Sequence, residues 1–155
     1  MISIYDTLAR KVSQIESSGS QVTVYCCGPT VYRDAHVGNL RTFLLSDLIS
    51  RAAALSGLNV TLIQNITDVG HMANDLEDKI LAQSKSEALD PFTIARKYEE
   101  RFHLDLQRLN IQPANSYPRA SEHIALMISA IEKLIAAGFA YVADDGNVYF
   151  DAQSF

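Results

Sequence analysis

The clearest hydrophobic pattern in the chain is a short apolar run followed, after a polar interval, by a long helical stripe. Val22, Val24 and Tyr25 belong to a β-branched and aromatic run that is typical of a buried strand. The later apolar residues recur at helical spacing: Leu40, Leu44, Leu48, Ala52 and Leu55, with Phe43 and Ile49 widening the stripe. This pattern predicts a strand over residues 22–26, a loop, and a helix over residues 38–55.

Two further stretches have the character of strands. Residues 2–8 form a short extended segment, and residues 60–64 form a β-branched run just after Gly57, where glycine commonly ends a helix. If the helix is the crossover between two parallel strands, both strands end at the same edge of the sheet, where α/β folds bind ligands. Residues 27–39 and 65–68 both fall at that edge, which makes it the candidate ligand site of an α/β fold.

The second half of the chain has a mostly helical pattern and ends in a predicted hairpin. Asp90-Pro91 is typical of a helix start, and Ser121 can cap a further helix. The first helix would bury one face, formed by Phe92, Ala95, Tyr98, Phe102, Leu106 and Leu109. The second would bury Ile124, Met127, Ile128, Ile131, Leu134 and Ile135. Residues 140–142 and 148–150 flank an Asp-Asp-Gly-Asn turn, which predicts a β-hairpin.

The composition indicates an ordinary globular protein. The chain has 155 residues, 48% of them hydrophobic and 20% charged, which suits one domain with its own core. No apolar run approaches the roughly 20 residues that span a bilayer, and the N-terminus lacks a signal pattern. We therefore expect a cytoplasmic protein with no membrane partner. Cys26 and Cys27 are adjacent, so they would face opposite sides of a strand as reduced thiols.

The net charge of −5 is unevenly distributed. Residues 1–70 carry five Lys or Arg and five Asp or Glu. Residues 71–155 therefore carry eight against thirteen, the difference from the totals of 13 and 18. An acidic chain argues against a broad nucleic-acid-coating surface, so a nucleic acid would have to meet local basic spots.

The polar interval between the first buried strand and its helix carries the candidate chemistry. Gly28-Pro29 turns the chain, and Gly38 lets the backbone approach a ligand. A helix N-terminus has unpaired N–H groups and a partial positive charge, which suit a phosphate. His36 and Asn39 lie on this first turn and add two side-chain donors to the same anion. These residues predict an anion site at the start of the helix.

The same residues carry a family resemblance. His36-Val37-Gly38-Asn39 resembles the HIGH signature of class I aminoacyl-tRNA synthetases, which clamps ATP during amino-acid activation. With its flanking residues, the motif is similar to the cysteinyl-tRNA synthetase family in particular. Further stretches that resemble this family are residues 25–32, 41–43, 65–68, 118–124 and 145–151. The resemblance covers essentially the whole chain.

The resemblance implies a more specific fold, a partial Rossmann-like nucleotide-binding fold with a HIGH-type motif and a mainly helical insertion. Residues 1–155 would form a single domain. Within it, residues 1–70 would be the nucleotide- and cysteine-binding half, and residues 71–155 would be the insertion that ends in the hairpin. Asn39 replaces the second histidine of the commonest motif form and can still donate a hydrogen bond.

On the nucleotide side, the resemblance implies four residues. Thr30, His36, Gly38 and Asn39 would bind ATP. His36 and Asn39 would also be catalytic, because they would stabilise the charge that develops as the α-phosphate is attacked. The alternative for His36 is a histidine that only packs at the helix start.

On the cysteine side, the resemblance implies three residues. Cys27, Gly28 and Thr67 match positions beside the bound cysteine, and Cys27 would also be a zinc ligand. Zinc binds sulfur strongly and a serine hydroxyl poorly, which would select cysteine. The alternatives are that Cys27 is a buried strand thiol and that Thr67 and Asp68 only cap a strand end.

The activity implied by the resemblance is that of a cysteine--tRNA ligase, which converts cysteine and ATP to cysteinyl-adenylate and transfers the cysteinyl group to tRNA(Cys). ATP, cysteine and tRNA(Cys) would be its ligands, with Zn²⁺ in the full-length family. The family's lysine loop is absent from these residues, and only Cys27 occupies a recognisable zinc position. We therefore expect the chain alone to be inactive and to hold no stoichiometric zinc.

Two other functions stay open at this point. A mycothiol-pathway ligase resembles the synthetase but passes cysteine to an amino sugar. A non-catalytic ligand-binding or interaction protein would keep the fold without the reaction. In every case a small parallel unit leaves a strand edge and an apolar face uncovered, so we expect self-association or pairing with the missing half of the catalytic domain.

Overall fold

The computed structural model describes residues 2–15, 17, 19–70, 72–74 and 77–155. This part of the chain is an α/β structure. Its elements are β1 (Ser3–Asp6), β2 (Lys11–Gln14), β3 (Gln21–Cys26), α1 (Val37–Leu55), β4 (Asn59–Gln64), β5 (Met72–Asn74), β6 (Glu77–Asp78), α2 (Lys79–Glu87), α3 (Pro91–Arg108), α4 (Ile124–Ala136), β7 (Ala140–Val142) and β8 (Val148–Phe150). A short 3-10 helix, Ala120–His123, precedes α4. None of the helices described is long and apolar enough to cross a membrane.

A parallel pair of strands lies next to the candidate site. β3 and β4 pair in register from Gln21↔Asn59 to Cys26↔Gln64, with α1 between them in the chain. The parallel arrangement on which the predicted site depends is therefore present. Gly57 follows α1 with a φ of 82°, a left-handed conformation that glycine adopts without steric cost.

A further extended segment, residues 115–119, lies along the other edge of β4. The Gln64 amide donates to the Ser116 carbonyl (3.0 Å), and the Ile66 amide donates to the Pro118 carbonyl (2.8 Å). Proline has no backbone N–H to donate to a neighbouring strand. Because prolines interrupt these residues, their hydrophobic pattern did not predict an extended segment here. Within the described ranges, no strand pairs with the outer edge of β3.

One hydrophobic core joins residues from both sides of the predicted division at residue 70. Its buried members are Cys26, Val31, Phe43, Leu62, Ile66, Ile80, Ile94, Ala95, Tyr98, Phe102, Leu106 and Ile111. Phe43 of α1 meets Phe102 of α3 edge to face, with 5.3 Å between ring centroids. Because α2 and α3 share this core, Met1–Ala120 forms one compact unit and Ser121–Phe155 forms a second. The observed division is therefore at residue 120.

A buried carboxylate fixes α3 to the segment that follows it. Glu99 is 5% exposed, and its carboxylate accepts from the guanidinium groups of Arg119 (2.9 Å) and Arg96 (2.6 Å). Burial raises the pKa of this carboxyl group, but the two guanidinium groups outweigh burial and lower the pKa of Glu99. Arg96 also lies 3.6 Å from the buried carboxylate of Asp68, so the chain after β4 is held to α3.

The buried face of α3 differs in part from the predicted one. Ala95, Tyr98, Phe102 and Leu106 are buried as predicted, and Ile94 is also fully buried. Phe92 and Leu109 are 53% and 44% exposed. These two residues lie at the ends of the helix, beyond the core that its middle turns share with α1.

The predicted burial of α4 is wrong. None of its residues is buried, and within the second unit α4 packs against the short hairpin strand β7. The Ser121 cap is also wrong, since Ser121 lies in the 3-10 helix and α4 begins without a side-chain cap. The hairpin itself has the predicted bounds in β7 and β8. The short strands β2, β5 and β6 were not predicted.

Candidate functional site

The two stretches predicted to meet at the strand ends do lie together. The Thr67 amide donates to the Pro29 carbonyl (3.0 Å), and the Val31 amide donates to the Thr67 carbonyl (3.2 Å). Thr30 and Thr67 thereby form an isolated parallel bridge. This bridge extends the β3–β4 pairing into the two loops, so the residues after β4 are fixed against the motif loop.

His36 caps the helix that it precedes. Its Nδ1 accepts from the amides of Gly38 (3.1 Å) and Asn39 (3.4 Å), while the Asn39 side-chain oxygen accepts from the His36 amide (3.3 Å). This reciprocal arrangement is a capping box. Two amides of the first turn that were expected to be free for a phosphate, those of Gly38 and Asn39, are therefore already paired. A neutral imidazole that accepts at Nδ1 carries its proton on Nε2, so Nε2–H is the donor left to a ligand.

A pocket of about 240 Å³ opens beside this capped turn. Its lining residues are Pro29, Thr30, Tyr32, Arg33, Asp34, Ala35, His36, Asn39 and Lys79. The Tyr32 ring holds two cations, with Arg33 Cζ at 5.2 Å and Lys79 Nζ at 5.5 Å from its centroid. The Asp34 carboxylate is ion-paired with Arg101 at 2.6 Å, which offsets its negative charge. The pocket thus combines positive charge with side-chain donors, a combination suited to a phosphate.

Lys79 is a pocket residue that the sequence analysis missed. It is the first residue of α2, whose N-cap Asp78 accepts from the amides of Ile80 and Leu81. The neighbouring Ile80 is 2% exposed and anchors this turn in the core. A cation is disfavoured at a helix N-terminus, so a lysine directly after an Asp N-cap was a usable signal of a role beyond the helix.

The residues predicted to contact cysteine lie beside the same strand ends. Cys26 is buried and Cys27 is exposed, and both are free thiols, which confirms their predicted opposite orientation. A Cβ at Gly28 would lie 1.6 Å from the Asn65 carbonyl oxygen, so only glycine allows this close approach of the two loops. Burial, and then the neighbouring Cys27, raise the pKa of Tyr25 above its ordinary value of 10.0. A tyrosine is already protonated at neutral pH at that ordinary value, so its hydroxyl is a donor here.

The residues around Cys27 do not fit a zinc site. A tetrahedral zinc ion takes three or four protein ligands. Among the residues that the structure describes, no group of three His, Cys, Asp or Glu side chains is placed to hold a metal ion. Cys27 offers a single sulfur ligand, too few for such an ion.

Comparison with known proteins identifies the relatives of the chain. The sequence model of the family described as tRNA synthetases class I (C) catalytic domain matches residues 13–155. The cysteine--tRNA ligase of Deinococcus radiodurans is 43% identical over 157 residues, and that of Thermus thermophilus is 42% identical over 156 residues. These alignments cover 99% and 98% of this chain but only 31% and 32% of the relatives. The chain therefore spans about a third of the length of the curated relatives it matches.

A solved structure shows the same fold. The Mycobacterium tuberculosis methionyl-tRNA synthetase in complex with methionyl-adenylate superposes with a TM-score of 0.62 at 20% identity. The superposition covers 77% of this chain and 23% of that chain. At this identity the likeness supports the α/β fold alone. The family match over residues 13–155 is more specific, and by it the chain belongs to the class I (C) tRNA synthetase catalytic domains.

Proposed function

We propose that the chain provides the ATP-binding and cysteine-binding part of a cysteine--tRNA ligase that acts in the cytoplasm. Its fold would be a partial Rossmann-like unit with a HIGH-type motif. In the reaction, a carboxylate oxygen of cysteine attacks the α-phosphorus of ATP and pyrophosphate leaves. The cysteinyl-adenylate then transfers its cysteinyl group to tRNA(Cys). The observation that carries the proposal is the junction of the motif loop with Thr67 beside a cationic pocket.

His36 and Asn39 are the proposed catalytic residues on the nucleotide side. With Nδ1 engaged by the helix, His36 has Nε2–H to donate to a phosphate oxygen. Arg33 and Lys79 add positive charge from the wall of the pocket. Donors and cations fixed in advance stabilise the negative charge that grows on the α-phosphate as it is attacked. Thr30 and Gly38 complete the ATP-binding set, Gly38 by leaving space for the imidazole.

Cys27, Gly28 and Thr67 are the proposed residues on the cysteine side. They lie at the carboxyl ends of β3 and β4, the edge where α/β folds bind their ligands. Bound there, the amino acid would have its carboxylate next to the phosphate pocket, and such proximity lowers the barrier to reaction. The relatives are named cysteine--tRNA ligase, which favours this ligase over a mycothiol-pathway enzyme and over a non-catalytic interaction protein.

Calorimetric titration of ATP into the 155-residue chain tests the proposal. We expect millimolar affinity, because a helix terminus contributes only about 0.3–1 kcal/mol to anion binding and the family's lysine loop is not among these residues. His36→Ala should abolish the heat signal. His123→Ala, outside the pocket, should not. Micromolar affinity, binding independent of His36, or no binding at all would show that the ATP contacts lie elsewhere.

A further inference from the structure

One amide side chain joins the loops that form the proposed cysteine side. Asn65, directly after β4, accepts with Oδ1 from the Tyr25 hydroxyl (2.9 Å) and from the Gly28 amide (3.0 Å). Its Nδ2 donates to Thr67 Oγ1 (3.1 Å). Asn65 is half-buried, and the three bonds use most of its hydrogen-bonding capacity. Two of them connect residues that are 40 and 37 positions apart, so the contacts are tertiary.

The Gly28 amide fixes the direction of every bond in this cluster. A backbone N–H can only donate, so the Asn65 atom that faces it must be the oxygen. The same oxygen then receives the Tyr25 proton, and Nδ2 is left to face Thr67. Because Thr67 Oγ1 accepts from Nδ2, the proton of the Thr67 hydroxyl points elsewhere. No residue in the described part of the chain accepts that proton.

We propose that Asn65 is a positioning residue of the amino-acid site, which makes the Thr67 hydroxyl a hydrogen-bond donor toward the bound amino acid. The inference rests on the proposed function, since the ligand that Thr67 would meet is cysteine. A committed donor suits a carboxylate oxygen and disfavours an ammonium group. The Thr67 backbone is fixed by Pro29 and Val31, so the orientation of this donor depends on the side-chain partner that Asn65 provides.

Asn65→Asp changes the direction of the hydrogen bond to Thr67 while the size of the side chain stays the same. Aspartate keeps the oxygen that Tyr25 and Gly28 use, but its second oxygen accepts the Thr67 proton and withdraws the donor from the ligand. Thr67→Val removes the same donor directly. If Asn65 acts through Thr67, the two changes are not additive. A direct effect of the new negative charge on the ligand would persist in the Thr67→Val background.

The experiment is a titration of L-cysteine into the ¹⁵N-labelled 155-residue chain, followed at the amide signals of Gly28 and Thr67. We expect Asn65→Asp to weaken binding about tenfold, the size of one hydrogen bond, and to have no further effect in the Thr67→Val background. Thr67→Ser, which keeps a hydroxyl, should lose less affinity for L-cysteine than Thr67→Val does. Wild-type binding by Asn65→Asp, or an equal loss in both backgrounds, overturns the inference.

Two further readouts separate the inference from the proposed function. Equal binding by Thr67→Ser and Thr67→Val overturns the inference even if Asn65→Asp does not fold. A parallel ATP titration, followed at the Asn39 amide, reports on the nucleotide side alone. ATP shifts without any L-cysteine shift overturn the inference and leave the nucleotide site in place. If neither ligand shifts any signal, the proposed function fails, and the inference fails with it.

Discussion

His36 and Gly38 work as a pair in the first turn of α1. The imidazole folds back over this turn, and its Nδ1 takes up two amide protons. A Cβ at residue 38 would lie 2.9 Å from Cε1 and 3.0 Å from Nδ1 of the ring. The glycine therefore makes room for the histidine, whereas the motif alone suggested the approach of a ligand to bare backbone.

Replacing Gly38 with alanine should affect ATP binding far more than stability. Alanine is the better helix former by about 1 kcal/mol, and loss of the cap costs about as much, so the free energy of unfolding should change by less than about 1 kcal/mol. The displaced imidazole should no longer bind ATP. Chemical denaturation and calorimetry measure the two effects, with Thr42→Ala on the next turn as a control. Wild-type ATP affinity in Gly38→Ala would contradict the pairing.

The motif residues could be predicted from the sequence, and their partners could not. His36, Gly38 and Asn39 form a contiguous pattern whose chemistry is local. Lys79 reaches the pocket from another helix, and Asn65 joins the loops only because β4 ends beside β3. Such contacts depend on tertiary approach, which residue spacing does not encode.

Among the secondary-structure elements, hydrophobic periodicity predicted the strands and helices that pack on the core. β3, β4 and α3 have regular apolar spacing because one face of each packs on the shared core. In α1 the core takes up Phe43 and part of Leu40, whereas Leu44, Leu48 and Leu55 of the predicted stripe are exposed.

The segment of residues 115–119 lacks that spacing. It pairs with β4 through backbone hydrogen bonds and through the Asn115 side-chain oxygen, which accepts from the Leu62 amide (2.7 Å). The apolar stripe of α4 predicts burial but is exposed, because a stripe shows only that a face is apolar, not that this chain covers it.

A single carboxylate links α2 to α3. Glu87 is paired with Lys97 and accepts from the Tyr98 hydroxyl (2.8 Å) and the Gln83 side chain (2.8 Å). The hydrogen bond from Lys97 is the largest cause, and together these donors lower the pKa of Glu87 from its ordinary value of 4.5 to about 2. The folded chain therefore favours the ionised form of this group.

The contribution of Glu87 should be present at neutral pH and lost as the pH falls from about 4.5 to about 2. Between these two pH values the Glu87 carboxylate is protonated in the unfolded chain but still ionised in the folded chain. The free energy of unfolding therefore decreases as the pH falls. Glu87→Gln cannot titrate and should flatten this part of the pH dependence of unfolding. The difference should shrink at high salt, because the pair is near the surface. Parallel curves for both proteins would contradict this account.

At the scale of the whole molecule, the apolar surface of the second unit predicts self-association. α4 exposes Ile124, Leu126, Met127, Ile128, Ile131 and Ile135, and contiguous apolar patches favour contact with another chain. Sedimentation should show association that Ile128→Glu weakens and Leu81→Glu, an exposed position on α2, does not. A monomer at high concentration that binds no apolar dye would argue against this expectation.

We propose that residues 1–155 provide one side of a ligase site, and cysteine-dependent ATP–pyrophosphate exchange measures whether they do. The 155-residue chain alone should show none. A chimera in which it replaces the aligned third of the Deinococcus radiodurans relative should show exchange, and His36→Ala should lower that rate by about 100-fold or more. Exchange by the 155-residue chain alone would show that it needs no further residues. A folded chimera without exchange, or with exchange that His36→Ala does not change, would show that this chain does not supply the proposed site.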